Sequence, residues 1–261
     1  MSNNSFRFSI ITVSFNNIRT IRDTIESVLS QDFNGFEYWI VDGGSTDGTV
    51  DLLKTYGDRL KWISEPDQGI YDAMNKGWKL ALGEFVAYIN ADDFYNHSMV
   101  LSNLNKVLSS DSGAWAAYGN LAYVDPFDTQ KIIRYWKTGH YNQSSFLWGW
   151  MPPHPTFFLK REAFEKFGGF KNKNLKSAAD YELILRMLYK NQLKAVYCDN
   201  LIVRMRVGGE SNRNIENRIR GNQEDRMAWE LNQLKPFWFT LLMKPLRKLI
   251  QFIERPSKTN N

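Results

Sequence analysis

The sequence predicts an α/β protein with a mostly parallel central sheet flanked by helices and a helical tail at its C-terminus. Three observations predict it. Proline-free apolar runs alternate with segments of helical period through the first 90 residues. Each of these runs ends in a cluster of Gly, Asn, Ser or Asp. The last 27 residues then abandon the alternation for a stretch rich in aromatic, leucine and basic residues.

Residues 8–15 (FSIITVSF) read as a buried strand, and Ile18, Ile21, Ile25, Val28 and Leu29 recur at helical spacing after it. Residues 36–42 (FEYWIVD) form a second strand that runs into the turn GGSTDG, followed by a short helix at Val50–Leu53. Residues 60–64 make a third strand. Residues 70–82 make a helix, with Gly83 as its stop. Residues 84–90 (EFVAYIN) make a fourth strand, closed by Ala-Asp-Asp. Beyond residue 112 the alternation weakens. Residues 113–150 suit short antiparallel strands and loops, 156–159 a strand, 178–190 a helix, 194–206 two short strands and 212–232 a polar helix. The expected organisation is one domain in two halves, 1–112 and 113–233, with 234–261 as a basic aromatic tail.

Composition excludes several classes. The single cysteine, Cys198, permits no disulfide framework and no CxxC site, and His97, His140 and His154 show no HExxH spacing. No uncharged apolar run is long enough to span a bilayer, and MSNNSFRF lacks the apolar core of a signal peptide. These features predict a cytoplasmic protein. The net charge of +5 is carried entirely by residues 235–261, so the body is not a nucleic-acid binder by bulk charge.

In a parallel sheet, ligands bind beyond the carboxyl ends of the strands. Those ends carry Ser14-Phe15-Asn16, Asp42-Gly43-Gly44 and Asn90-Ala91-Asp92-Asp93, and the chain has neither GxGxxG nor GxxxxGK[ST]. A pocket holding Asp42, Asp67, Asp92 and Asp93 repels a diphosphate unless a hard cation such as Mg²⁺ or Mn²⁺ bridges the two. An Asp pair after a strand also serves as a plain turn or helix cap.

IITVSFNN, VDGGSTDGT, EPDQGIYDAMNKG and YINADD, in this order and spacing, resemble the family 2 glycosyltransferases of the Rossmann-like GT-A fold over about residues 6–210. The chain is most similar to bacterial enzymes of exopolysaccharide or O-antigen assembly. The resemblance implies an inverting hexosyltransferase that uses a nucleotide-diphospho-sugar, with a UDP-sugar favoured, and Mn²⁺ or Mg²⁺ as cofactor. It implies that Ser14, Phe15, Asn16, Asp42 and Asp67 form the nucleotide site, with Phe15 stacking on the base and Asp42 hydrogen-bonding it. It implies that Asp92 and Asp93 hold the metal in a DxD-like motif whose first Asp is Asn90.

An inverting transfer needs a general base, and the candidate is Asp180, which shares the apolar stripe Leu183, Ile184, Met187 and Leu188. The family's Glu-Asp motif falls on Ala179-Asp180. Ser177-x-x-Asp180 also fits a helix cap. Trp148 and Trp150 suit an acceptor platform or the core, and His154 a phosphate or acceptor contact or a structural role. Arg204, Arg206 and Arg213 flank a Gly-Gly-x-Ser loop that resembles the family's pyrophosphate loop.

The tail, PFWFTLLMKPLRKLIQFI, suits an interfacial segment on an anionic membrane, or a helix packed on the body, and Pro236 and Pro245 should start or break its helices. The expected partners are a nucleotide-sugar donor, a lipid-linked or growing glycan acceptor and the inner face of the cytoplasmic membrane. The competing reading is a non-catalytic carbohydrate-binding or scaffold member of the same fold.

Overall fold

The computed structural model describes residues 6–208 and 215–256. β1 (Phe8–Ser14) lies at the heart of the sheet and is buried along its whole length, as its continuous apolar run requires. Its side chains alternate between two cores. Phe8 and Ile10 face α1 (Ile21–Leu29), α2 (Thr49–Lys54) and α4 (Val100–Ser109). Ile11 and Val13 face α3 (Ile70–Leu80), α5 (Arg161–Phe167) and α6 (Ala179–Ile184).

β2 (Phe36–Asp42) and β4 (Phe85–Asn90) pair with β1 in parallel, and β3 (Lys61–Ser64) pairs with β2. The register aligns Ser14 with Asp42, Asp42 with Ser64 and Val13 with Asn90. The polar strand ends therefore form one ledge.

The sheet continues beyond β4 through β8 (Phe158–Lys160), β6 (Ala116–Val124), β9 (Ala195–Arg206) and β5 (Phe94–Tyr95), with β7 (Ile132–Trp136) beside β6. Beyond β4 it is no longer purely parallel. β8 is antiparallel to both β4 and β6, and β5 and β7 are antiparallel to their neighbours, so the whole is a mixed sheet.

Three expectations need correction. Residues 194–206 form one strand rather than two; β9 runs parallel to β6 across register shifts around Asn120. Asn120 is buried there, satisfied by Asp199, Tyr197 and the Thr138 N–H, which makes the irregularity affordable. Second, α4 and β5 occupy residues for which the sequence reading offers no element, although Val100, Leu101, Leu104 and Leu108 are buried at helical spacing. Third, Pro245 does not break the tail helix. α8 (Thr240–Ile250) runs through it, anchored by Thr240 Oγ1 donating to the Leu147 carbonyl and by Lys244 on Asp225.

The preceding helix, α7 (Ile215–Leu231), packs on α6 through Trp229, which is wholly buried and donates to Tyr181 Oη at 2.8 Å. No described helix is long and apolar enough to cross a membrane.

Candidate active site

The ledge is built by loops that hold one another. After β1 the chain turns at Asn16 (φ 54°), whose N–H donates to Ser45 Oγ at 2.7 Å and whose Oδ1 accepts from Thr46 N at 2.9 Å. Ile18 N donates to Asp47 Oδ2, lacing the same two loops again. Phe15 projects from this turn with 61% of its surface exposed, an open ring at the mouth of the ledge.

Asp42 is fully buried. Its Oδ2 accepts from Gly44 N, Ser45 N and Ser64 Oγ, and its Oδ1 from Ser45 Oγ. Expected to meet a base, Asp42 here holds the Gly-Gly-Ser-Thr loop. Ser14 is buried beside it and its Oγ has no partner. Asp67 braces the turn that leads into α3 by accepting from Gly69 N at 2.8 Å, and it reaches across to Gly43. A Cβ on Gly43 would stand 2.5 Å from Asp67 Oδ2 and 3.3 Å from Phe15 Cδ2, so glycine lets Phe15 and Asp67 converge. Four of the five expected nucleotide residues thus meet at the carboxyl ends of β1 and β2, and Asp67 joins them from the loop after β3.

At the end of β4 the chain turns, with Asp93 N donating to the Asn90 carbonyl. Asp92 remains partly exposed, whereas Asp93 is sealed, with Oδ2 accepting from Asn90 Nδ2 and Oδ1 unpartnered. Burial, and the Asp92 charge beside it, push the Asp93 carboxyl well up. Burial pushes Asp92 up too, against the opposing charge of Arg206. Among the described residues no cluster of three His, Cys, Asp or Glu side chains stands ready for a metal ion. The pair fits a hard cation that completes its shell on substrate and water oxygens, because it offers carboxylate oxygen and an unsatisfied buried acceptor.

Arg206 closes this end. Its guanidinium donates to the Asp92 carbonyl and to Asp23, and lies over Phe94. Arg204 turns elsewhere, to Asn96 Oδ1 and the Thr129 carbonyl, because β9 presents it to β5. Arg213 lies outside the described residues.

A cleft of about 730 Å³ runs from Arg206 to Asp180. Tyr123 sits between these ends: burial raises its phenol, and the charges of Asp93 and Asp180 both act on it. Asp180 opens the first turn of α6, where Tyr71 Oη on α3 donates to its Oδ1 at 3.0 Å. Burial and the Asp180 charge hold the Tyr71 hydroxyl protonated, so it is the donor of this pair. The expected Ser177-x-x-Asp180 cap does not form. The Glu224 carboxylate on α7 takes its place, accepting from the N–H groups of Lys176, Ser177 and Ala178 and from Ser177 Oγ. Asp180 is thereby left free of capping work.

His154 lines the same cleft, stacked on Tyr88; burial pushes its pKa down, so the imidazole is neutral. Trp150 is no acceptor platform: it is buried, its Nε1–H donates to the Thr138 carbonyl and its ring stacks on Tyr141 at 4.9 Å. Trp148 is half exposed, packed against Phe239 of the tail, and is not part of the cleft wall. The tail supplies that wall instead, through Lys244, Pro245, Lys248 and Phe252.

Tyr71, Tyr123, Glu224 and these tail residues are absent from the sequence-derived site. Only Tyr71 carried a signal, as part of EPDQGIYDAMNKG.

This architecture is shared with sugar-transferring enzymes of the GT-A fold. The UDP complex of Staphylococcus aureus TarS 1-349 superposes with a TM-score of 0.64 at 20% identity, over 88% of this chain and 67% of that one. The mannosyltransferase PcManGT of Pyrobaculum calidifontis, solved with GDP-Man and Mn²⁺, superposes with a TM-score of 0.65 at 22% identity, over 92% and 69%. The model of glycosyl transferase family 2 matches residues 9–168, and the chain belongs to that family of glycosyltransferases. A PGL/p-HBAD biosynthesis glycosyltransferase of Mycobacterium bovis is 27% identical over 183 residues, 69% of this chain and 68% of the relative. A glycosyltransferase of Rickettsia typhi is 26% identical over 253 residues, 90% and 71%.

Proposed function

We propose that this glycosyltransferase moves a sugar from a nucleotide-diphospho-sugar, with UDP-sugars favoured, to a lipid-linked or growing glycan, with inversion at the anomeric carbon. The observation that carries the reading is the cleft that joins Asp180 to Arg206, whose guanidinium in turn holds the Asp92 carbonyl.

The nucleotide stacks on Phe15 at the mouth of the loops held by Asp42, with Asn16 and Asp67 beside it and the orphaned Ser14 Oγ beneath. Asp92, backed by Asp93, would hold a Mn²⁺ or Mg²⁺ ion, which when bound neutralises the donor diphosphate. Arg206 adds a fixed cation where negative charge grows on the departing diphosphate. Asp180 accepts the proton of the acceptor hydroxyl as its oxygen attacks the anomeric carbon. The bond from that carbon to the diphosphate oxygen breaks, and the nucleoside diphosphate leaves with the electron pair. Tyr71 orients the base, and neutral His154 lines the approach without adding a charge to it.

The acceptor is met at a membrane. The exposed Trp238, Leu242, Leu246, Leu249 and Ile253 beside the basic residues of the tail suit the anionic inner face of the cytoplasmic membrane.

A screen of UDP-, GDP- and dTDP-sugars with Mn²⁺ or Mg²⁺, read by release of nucleoside diphosphate, identifies the donor. Asp180→Asn should then lower kcat by about 10²–10⁴-fold with nucleotide affinity unchanged. Full activity in that variant would refute Asp180 as the base, and a retained anomeric configuration in the product would refute inversion.

A further inference from the structure

A carboxylate in the first turn of a helix has two possible uses. It can bind the free N–H groups of that turn, or it can face away and take a proton from elsewhere. Ser177-x-x-Asp180 has the spacing at which a side chain reaches back to the N–H three residues before it. A carboxylate so bound is turned toward the backbone and becomes a poorer proton acceptor.

The structure gives those donors to another residue. The N–H groups of Lys176, Ser177 and Ala178 and the Ser177 hydroxyl all donate to Glu224 Oε2, at 2.7–3.0 Å. Glu224 is only 7% exposed, and hydrogen bonds to a buried carboxylate are strong. The same end of the molecule grips α6 further along. Trp229 Nε1–H donates to Tyr181 Oη at 2.8 Å, and Asn232 Nδ2, just past α7, donates to Glu182 Oε1 at 2.9 Å. Arg186 holds Glu182 from within its own helix and donates to the Gly169 carbonyl. These contacts fall on Tyr181, Glu182 and the loop before α6. Asp180 takes part in none of them and meets Tyr71 of α3 instead. Burial and the Asp180 charge keep that tyrosine protonated, and the Glu224 charge adds to them.

We propose that Glu224 is a positioning residue for the base: it takes up the N–H groups of residues 176–178 and so withholds them from Asp180, whose carboxylate stays turned to Tyr71 and the cleft. The proposal rests on the reading of Asp180 as the base.

Two measurements on the full chain distinguish this role from a plain tie between α7 and the body. The first is kcat for release of nucleoside diphosphate, per UDP-binding site, with the donor that the screen identifies. Glu224→Ala should lower it about ten- to hundredfold with donor KM and UDP affinity unchanged. Glu224→Gln keeps a weaker oxygen acceptor at the same reach and should fall in between. In an Asp180→Ala background neither substitution should slow the reaction further, because both act through Asp180. The second measurement is hydrogen exchange at the Ser177 amide, read by NMR. Glu224→Ala alone should leave this amide protected, because Asp180 takes it over. Glu224→Ala with Asp180→Ala should speed its exchange at least about tenfold.

Wild-type kcat in Glu224→Ala overturns the proposal. An equal loss in the Asp180→Ala background does so too, because it makes Glu224 a tie and no more. A Ser177 amide laid open by Glu224→Ala alone overturns the competition with Asp180. Should Glu224→Ala lose UDP binding, Glu224→Gln carries the same comparison in both backgrounds. Wild-type kcat in Asp180→Ala by itself refutes the underlying base assignment, and that rate is read separately.

Discussion

Gly43→Ala isolates the convergence of Phe15 and Asp67. Gly43 does not require a left-handed backbone, so alanine is conformationally admissible and the perturbation is steric. The new Cβ would lie 2.5 Å from Asp67 Oδ2, where ordinary contact begins at 3.4 Å, so the carboxylate must retreat by about 0.9 Å. The other near neighbour, Phe15 Cδ2 at 3.3 Å, must yield a further tenth of an ångström or so. Asp67 is tied to Gly69 N at 2.8 Å, and a retreat of that size breaks either this bond or its contact with ligand. A hydrogen bond to a charged group contributes about 1.5–3 kcal/mol, so UDP should bind roughly 10–150-fold more weakly. Gly44→Ala is the matched control: at φ 86°, and meeting only the Glu65–Pro66 backbone at an ordinary 3.7–3.9 Å, it strains the backbone without touching Asp67. That strain of about 1–2 kcal/mol should lower the melting temperature by roughly 2–8 °C. Calorimetric titration with UDP and thermal melts of both variants make the test. Wild-type UDP affinity in Gly43→Ala would refute the placement of the nucleotide between Phe15 and Asp67.

Tyr71→Phe deletes the hydroxyl that orients Asp180 and should reduce kcat about tenfold or more, with donor KM little changed; steady-state kinetics read the split. Glu37 is a pH-sensitive anchor of the first half of the chain. Burial raises its carboxyl, but hydrogen bonds from Ser9, the Leu82 N–H, Lys61 and Trp39 outweigh burial and leave it lowered. A lowered folded pKa means that its contribution is complete above the unfolded value of about 4.3 and is lost as pH falls through the folded value. Thermal melts from pH 6 to pH 3 should show that loss, and Glu37→Gln should start less stable and lose less over the same range.

The first half of the chain was readable because its elements obey one rule at a time. β1 is buried throughout because it is covered on both faces, and α1 carries its apolar stripe at clean helical spacing. The second half mixes rules. Asn120 sits polar and buried in β6, satisfied only by partners on β9 and the loop after β7, so nothing local announces a continuous strand opposite it. Asp180 looked like a cap because its true competitor, Glu224, lies 44 residues further on and reaches the same backbone N–H groups through space. Trp148 and Trp150 could not be told apart by composition; the left-handed turn at Gly149 (φ 73°), pressed against the Lys244 backbone, sends one ring into the core and leaves the other half exposed. The tail was read as either packed or interfacial, and α8 does pack, with one face against the body and an apolar face outward.

The antiparallel insertion of β8 between β4 and β6 has a mechanical consequence. Backbone hydrogen bonds run without a gap from the strand that carries Asp92 and Asp93 to the strands beneath Tyr123 and Arg134. Lobes that swing about a hinge need a seam that no ladder crosses, and along that line the short strand β8 bridges the two sides, through three residue pairs to β4 and two to β6. Opening it would tear a ladder. The strands on either side of the cleft therefore move together more readily than apart, and motion is left to the loops at its rim.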